Sequence, residues 1–264
     1  MNTPDLHLPD LFAQDFRLDG YTLATGSDED HFLGLVTDHD DLTPLIAHHT
    51  PDGARSYLVL HDGAAIWDVP GTAQLIAVVV SRDLGSQTLC FESERHPVLP
   101  LAQRWLIAHG AVPDAVRLPA QWGGPKPTDT LTSVLEEQLL TSGDRYEVLD
   151  HYTGDCGEYE TYVLVHDKDP ASAGQPYRLF LEQMASASDT YTLREGAFRT
   201  EDGAREWMAE RGGPLPAPHM VPGALAVPRT QAARAATRRT SCPSPAPWPP
   251  AAPLPPAPGP GRHR

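Results

Sequence analysis

Lysine is nearly missing from this chain of 264 residues: only Lys126 and Lys168 are present, and arginine makes up the other 18 of the 20 basic side chains. Cysteine is scarce too. Cys90, Cys156 and Cys242 are the only three, their spacings match no zinc motif, and an odd number gives no disulfide framework. Long apolar runs are absent. The longest, Leu75–Val80, is far shorter than the ~20 residues needed to cross a bilayer. The N-terminus, MNTPDLHLPDLF, has neither a basic start nor an apolar stretch of signal-peptide length. These features predict a cytoplasmic protein with no membrane association.

Positive charge is missing from most of the chain. Six of the arginines lie from Arg229 onward, where there is no acid, so residues 1–228 carry 14 basic against 35 acidic side chains. Such a field repels nucleic acid and anionic lipid, and attracts basic protein surfaces. Hydrophobic residues at 40% are enough for a packed core.

Proline marks the C-terminal boundary. Ten prolines fall between Pro243 and Pro260. Proline fixes φ and removes a donor, so residues 214–264, rich in Pro, Ala and Arg, are expected to be disordered or extended polyproline. The stretch PLPPAP also fits a PxxP ligand, and the tail equally reads as an out-of-frame extension of GC-rich coding sequence.

Upstream, strand-like runs occur at Phe16–Thr25, His31–Val36, Arg55–His61, Ala65–Val69, Ala73–Arg82 and Gln87–Ser93. Asp62-Gly63 predicts a hairpin turn between two of them. A helix over Val98–His109 places Leu101, Ala102, Trp105, Leu106 and Ala108 mainly on one face, with Gly110 at the left-handed C-terminal position. Val112–Pro127, with four prolines and a Gly pair, reads as a linker. The clearest helix is Asp129–Thr141. Strands resume at Arg145–His151, Glu158–Asp167, Pro176–Gln183 and Thr190–Arg194, and a last helix, Glu201–Arg211, has Thr200 as cap and Gly212 as stop.

Two octapeptides then stand out: SYLVLHDG at 56–63 and TYVLVHDK at 161–168. Each is followed by two strands and a helix, LAQRWLIAHG or GAREWMAERG. Ala102, Trp105 and Gly110 have the spacing of Ala204, Trp207 and Gly212. The pattern predicts an α+β protein of antiparallel sheet regions covered by helices, with internal duplication of a βββα unit. The expected division is an N-terminal α+β unit 1–111, a linker 112–127, a C-terminal α+β unit 128–213 and the tail 214–264. The matched pairs His61-Asp62 and His166-Asp167 read as strand closures, since aspartate in turns hydrogen-bonds its own backbone.

The chemistry offers little. Residues 26–53 gather Asp28, Glu29, Asp30, His31, Asp38, His39, Asp40, Asp41, His48 and His49, the ligand types a divalent metal takes, but at no metal-site spacing. A short helix beginning at Thr43-Pro44 accounts for most of them: acids precede its N-terminus and His48-His49 follow at its C-terminus. No G-x-S-x-G, P-loop or G-x-G-x-x-G pattern is present. Cys156 sits among acids that would raise a thiol pKa, the wrong direction for a nucleophile. Glu92 with Glu94, and Glu158 with Glu160, share strand faces and are candidate carboxylate pairs, while Glu136 and Glu137 read as the wet face of a helix. No catalytic residue, metal ligand or cofactor is assigned. The expectation is a non-enzymatic accessory or protein-binding module with a basic protein partner; the alternative is a hydrolase of glycosidase type or metal-dependent.

Overall fold

The computed structural model describes residues 16–24, 42–119, 124–154, 159–185, 189–211 and 213–218. They form two mixed five-stranded sheets with helices, an α+β architecture. The first sheet contains β1 (Thr22–Leu23), β2 (Leu42–His49), β3 (Arg55–Asp62), β4 (Leu75–Asp83) and β5 (Thr88–His96), in the order β1-β5-β4-β3-β2. The second contains β6 (Lys126–Pro127), β7 (Tyr146–Gly154), β8 (Glu160–Asp167), β9 (Tyr177–Met184) and β10 (Thr190–Phe198), in the order β6-β10-β9-β8-β7. Each is a four-stranded antiparallel meander whose last strand also takes a two-residue parallel partner. Among the described residues no helix is long and apolar enough to cross a membrane.

Four helices complete the fold: α1 (Ala65–Asp68), α2 (Leu99–Ala108), α3 (Thr130–Leu140) and α4 (Glu201–Glu210). Alternation along the strands gives each sheet two apolar faces, and each face takes its own cover. Tyr57, Val59, Ala77 and Val79 lie under Ala102 and Leu106 of α2. Leu58, Leu60, Val78 and Val80 lie under Phe16, Leu18 and Tyr21. In the second sheet, Val163, Val165, Phe180 and Leu193 lie under Leu135 and Leu139 of α3, with Val98 and Leu101 of the α2 segment in the same cluster. Leu164 and Leu179 lie under Ala204 and Trp207 of α4. Helices α2 and α3 therefore form a layer between the sheets, and α2 contributes to the cores on both sides.

The helices follow from local signals. The Asp129 carboxylate caps α3 by accepting from the Thr132 N–H, and the Thr200 hydroxyl caps α4 by accepting from the Gly203 N–H. Gly110 closes α2 at φ +100°. At the end of α4 the left-handed position falls on Arg211, φ +48°, one residue before the expected glycine, and the Arg211 N–H bonds to the Trp207 carbonyl.

Several local expectations are corrected. Thr43–His49 is not a helix but most of strand β2, paired along β3. Proline at the edge of a sheet interrupts no interior ladder, and a bulge between Pro44 and Ile46 turns Ile46 to the face opposite Leu42. Asp62-Gly63 is not a hairpin turn. The Asp62 carboxylate accepts from the Ala64 N–H at 3.1 Å, an Asx turn that leads into α1 instead of a strand at Ala65–Val69. The strand expected over Phe16–Thr25 shrinks to Thr22–Leu23, because Arg17 at φ +51° and Gly20 at φ +82° break the extended run. Within 112–127, Pro113–Val116 is a 3-10 turn that buries Val116, whose carbonyl accepts from Gln103 at 2.7 Å. Ordered packing also continues past residue 213: the Ala197 N–H donates to the Pro216 carbonyl, and Leu215 joins the cluster under α4. The strand expected at His31–Val36, Trp122, and the tail from 219 onward lie outside the described residues.

Candidate functional site

Both HD pairs end a strand at the same register. In each, the Asp N–H donates across to the residue before the next strand, Asp62 to the Gln74 carbonyl and Asp167 to the Pro176 carbonyl, both at 2.7 Å. The carboxylates then close the loops. Asp62 takes the Ala64 N–H and an ion pair from Arg95 at 2.6 Å. Asp167 is buried and takes Arg145 through two contacts of 2.7 Å, the Ser172 hydroxyl at 2.5 Å and the Asp169 N–H. Burial alone would raise the Asp167 carboxyl, but these hydrogen bonds hold it below its ordinary value. The neighbouring histidines do not join in. His61 is held neutral by burial, and the His166 ring lies 5.5 Å from that of Tyr177.

The sequence candidates scatter. Asp28, Glu29, Asp30, His31, Asp38, His39, Asp40, Asp41, Cys156 and Glu158 lie outside the described residues. His48 lies near Tyr57 and His49 bonds to Ser56 at 2.7 Å. Glu92 and Glu94 share a face as expected but engage different histidines, His109 at 3.7 Å and His96 at 3.8 Å. Glu160 pairs with Arg211 and accepts from Gln183. Among the described residues no three His, Cys, Asp or Glu side chains are grouped to hold a metal.

The structure does assemble one carboxyl pair that the sequence reading passed over. Helix α3 runs along β10 and brings Glu136 to the Tyr191 hydroxyl, which donates to it. Glu182, on β9 opposite Leu193, lies on the same sheet face. Burial raises the Glu136 carboxyl against the opposing effect of the tyrosine bond. Burial and the charge on Glu136 push Glu182 up to about 7. Burial and the Glu136 bond raise the Tyr191 phenol. Two carboxyl groups that cannot both ionise readily, next to a phenol, form a proton-holding cluster of the sort that general acids require. Expecting Glu136 on a wet helix face missed it, because a helical wheel does not show which strand lies alongside.

A second feature is the loop between β3 and β4. Its ends are tied by the Asp62–Gln74 bond, and Arg95 links the Asp62 carboxylate to the Ala73 carbonyl at 3.1 Å. Inside it, the Val69 carbonyl accepts from the Thr72 hydroxyl at 2.7 Å, and α1 adds a helical turn. The loop nevertheless shows Trp67, 74% exposed, and Val69, 54% exposed, to solvent. The corresponding loop of the second sheet, 168–176, closed by the same aspartate device, carries no aromatic residue at all.

Comparison with known proteins adds no relative: no family model, no curated protein and no solved structure matches this chain.

Proposed function

We propose that this chain is a non-enzymatic, cytoplasmic protein-binding module whose contact surface centres on the Trp67 loop. The observation that carries the reading is a large aromatic side chain held out to solvent by a loop tied at both ends. Exposed tryptophan on a fixed backbone loses little conformational freedom on binding, and tryptophan leads the residue types that dominate interface energetics. The acidic excess of residues 1–228 would steer a basic partner surface toward it. Duplication of a βββα unit supplies the scaffold in this reading. It is supported by the shared strand order, the bulge three residues into β2 and β7, and the common aspartate closure. The units 1–111 and 128–213 with their linker belong to the same reading.

The test is affinity capture with the full chain and with Trp67→Asp as paired baits, followed by titration of any purified partner. The expected result is a protein held by the wild type, released by the variant and weakened by salt. Identical captures on both baits would overturn the reading.

One observation favours the hydrolase alternative, now with Glu136 and Glu182 in place of the pairs expected from sequence. A carboxyl group titrating near 7 beside a second carboxyl can act as general acid. Turnover of aryl glycosides that Glu182→Gln abolishes would establish it; no turnover across such a panel removes it.

A further inference from the structure

We infer that the contact between the two sheets is proton-gated: two histidines, His96 at the end of β5 and His151 on β7, keep the seam closed while neutral and loosen it when protonated. His96 is buried, and its Nε2 has no hydrogen-bond partner; His151 has a buried Nδ1 that also has none. Buried and unpaired, an imidazole nitrogen costs little while the ring is neutral but a great deal once the ring carries charge.

The surroundings reinforce this. On α2, the Arg104 guanidinium bridges the seam by donating to the Tyr146 carbonyl of β7 at 3.0 Å. Burial first, then the charges of Arg104, His109 and His151, push His96 down to about 4. Also on α2, Trp105 lies between His96 and His109, with ring separations of 6.1 and 3.8 Å. The opposing acids are few and outward. From β5, Glu94 faces His96 Nδ1 at 3.8 Å and Glu92 faces His109 at 3.7 Å, and both glutamates are mostly exposed. On β7, the Asp150 carboxylate next to His151 is already engaged by Arg205 of α4. Protonation of both rings would thus place positive charge beside Arg104 with no buried acid to answer it.

What the seam fastens gives the gate a consequence. His96 is paired with Leu75 at the exit of the Trp67 loop, and His151 is two residues from Thr153. The Thr153 N–H donates to the Gly71 carbonyl at 3.4 Å, and Gly71 itself lies against Tyr152. Charging the histidines therefore loosens the point at which this loop is fastened to the second sheet. The inference stands whether or not that loop binds a partner, since its readouts involve none.

The sign follows from linkage. His96 is held below its ordinary 6.5, so the closed seam binds fewer protons than the open one. Closure is fully favoured above pH 6.5 and is lost as pH falls toward 4. That separation corresponds to an approximately 10²-fold change in the opening equilibrium.

Amide hydrogen exchange of the full chain, expressed as protection factors at pH 7 and pH 4, tests this. The Thr153 amide should lose protection by about 10²-fold, while the Leu58, Val78 and Leu164 amides keep theirs, and His96→Gln/His151→Gln should abolish the difference. Should the double variant not fold, the wild-type imidazole carbon-bound proton shifts decide: His96 titrating below 5 together with the Thr153 change supports the gate. Protection at Thr153 that is unchanged to pH 4, or lost together with the central strands, overturns it. So does the same loss in a folded double variant.

Discussion

Gly71 lies flat against the Tyr152 ring: a Cβ added there would meet Cδ2 at 2.5 Å, and the backbone sits at φ +86°. The glycine is required twice, once by the left-handed backbone and once by the aromatic face. Gly71→Ala should therefore cost about 1–3 kcal/mol, read as a lower urea midpoint with unchanged slope. Gly53→Ala has a similar φ but no neighbour within 4 Å. It should cost less, which separates the ring contact from the backbone term.

The two aspartates of the HD pairs should differ in weight. Asp167 is buried with Arg145, Ser172 and the Asp169 N–H around it, and with Arg178 Nε 3.4 Å away. Asp167→Ala leaves buried cations unanswered and should cost ~3–5 kcal/mol. Asp62 pairs with the half-exposed Arg95, so Asp62→Ala should cost only about 1 kcal/mol. The Asp167 carboxyl is depressed below 3.8. Its contribution is therefore present above that pH and is lost as pH falls through the lower folded value. Denaturation of both variants at pH 7 and pH 3 should show the gap shrinking in acid.

Glu182 should give the opposite slope. Its folded carboxyl is raised from 4.5 to about 7, so the folded chain keeps this proton to higher pH than the unfolded chain. The stabilisation is complete below 4.5 and is lost as pH rises through 7. Glu182→Gln should remove that slope and gain up to ~1–3 kcal/mol over the wild type at pH 8. Urea titrations at pH 5 and pH 8 check it; equal differences at both would contradict the shift.

Trp67→Ala should leave stability within ~0.5 kcal/mol of the wild type, because the ring is mostly in solvent. A large loss on thermal melting would mean that the ring is a packing residue.

Much of the fold was legible where local chemistry and tertiary packing agree. Asp129 with the apolar spacing of Leu131, Leu135 and Leu139 set α3, and Thr200 set the start of α4. The alternation in SYLVLHD and TYVLVHD set β3 and β8. The reading failed where a local motif competes with a distant partner. Thr43-Pro44 has the form of a helix start, yet the chain there is extended because β3 pairs with it. Asp62-Gly63 has the form of a hairpin turn, yet the carboxylate is captured by Ala64 and Arg95. The Glu136–Glu182 cluster was invisible because its members come from α3 and β9 and meet only when the helix lies along the sheet. Trp67 fell in a stretch read as a strand, where an aromatic residue raises no question.

The place of α2 in the molecule constrains how the chain can be divided. Ala102 and Leu106 complete the core of the first sheet, whereas Val98 and Leu101 are buried in that of the second. A fragment beginning at residue 128 would lack two of its own interior side chains, and one ending at 111 would present them to water. Apolar surface of that kind is sticky, so the severed pieces should find each other when mixed, and the intact chain should melt in one step instead of two.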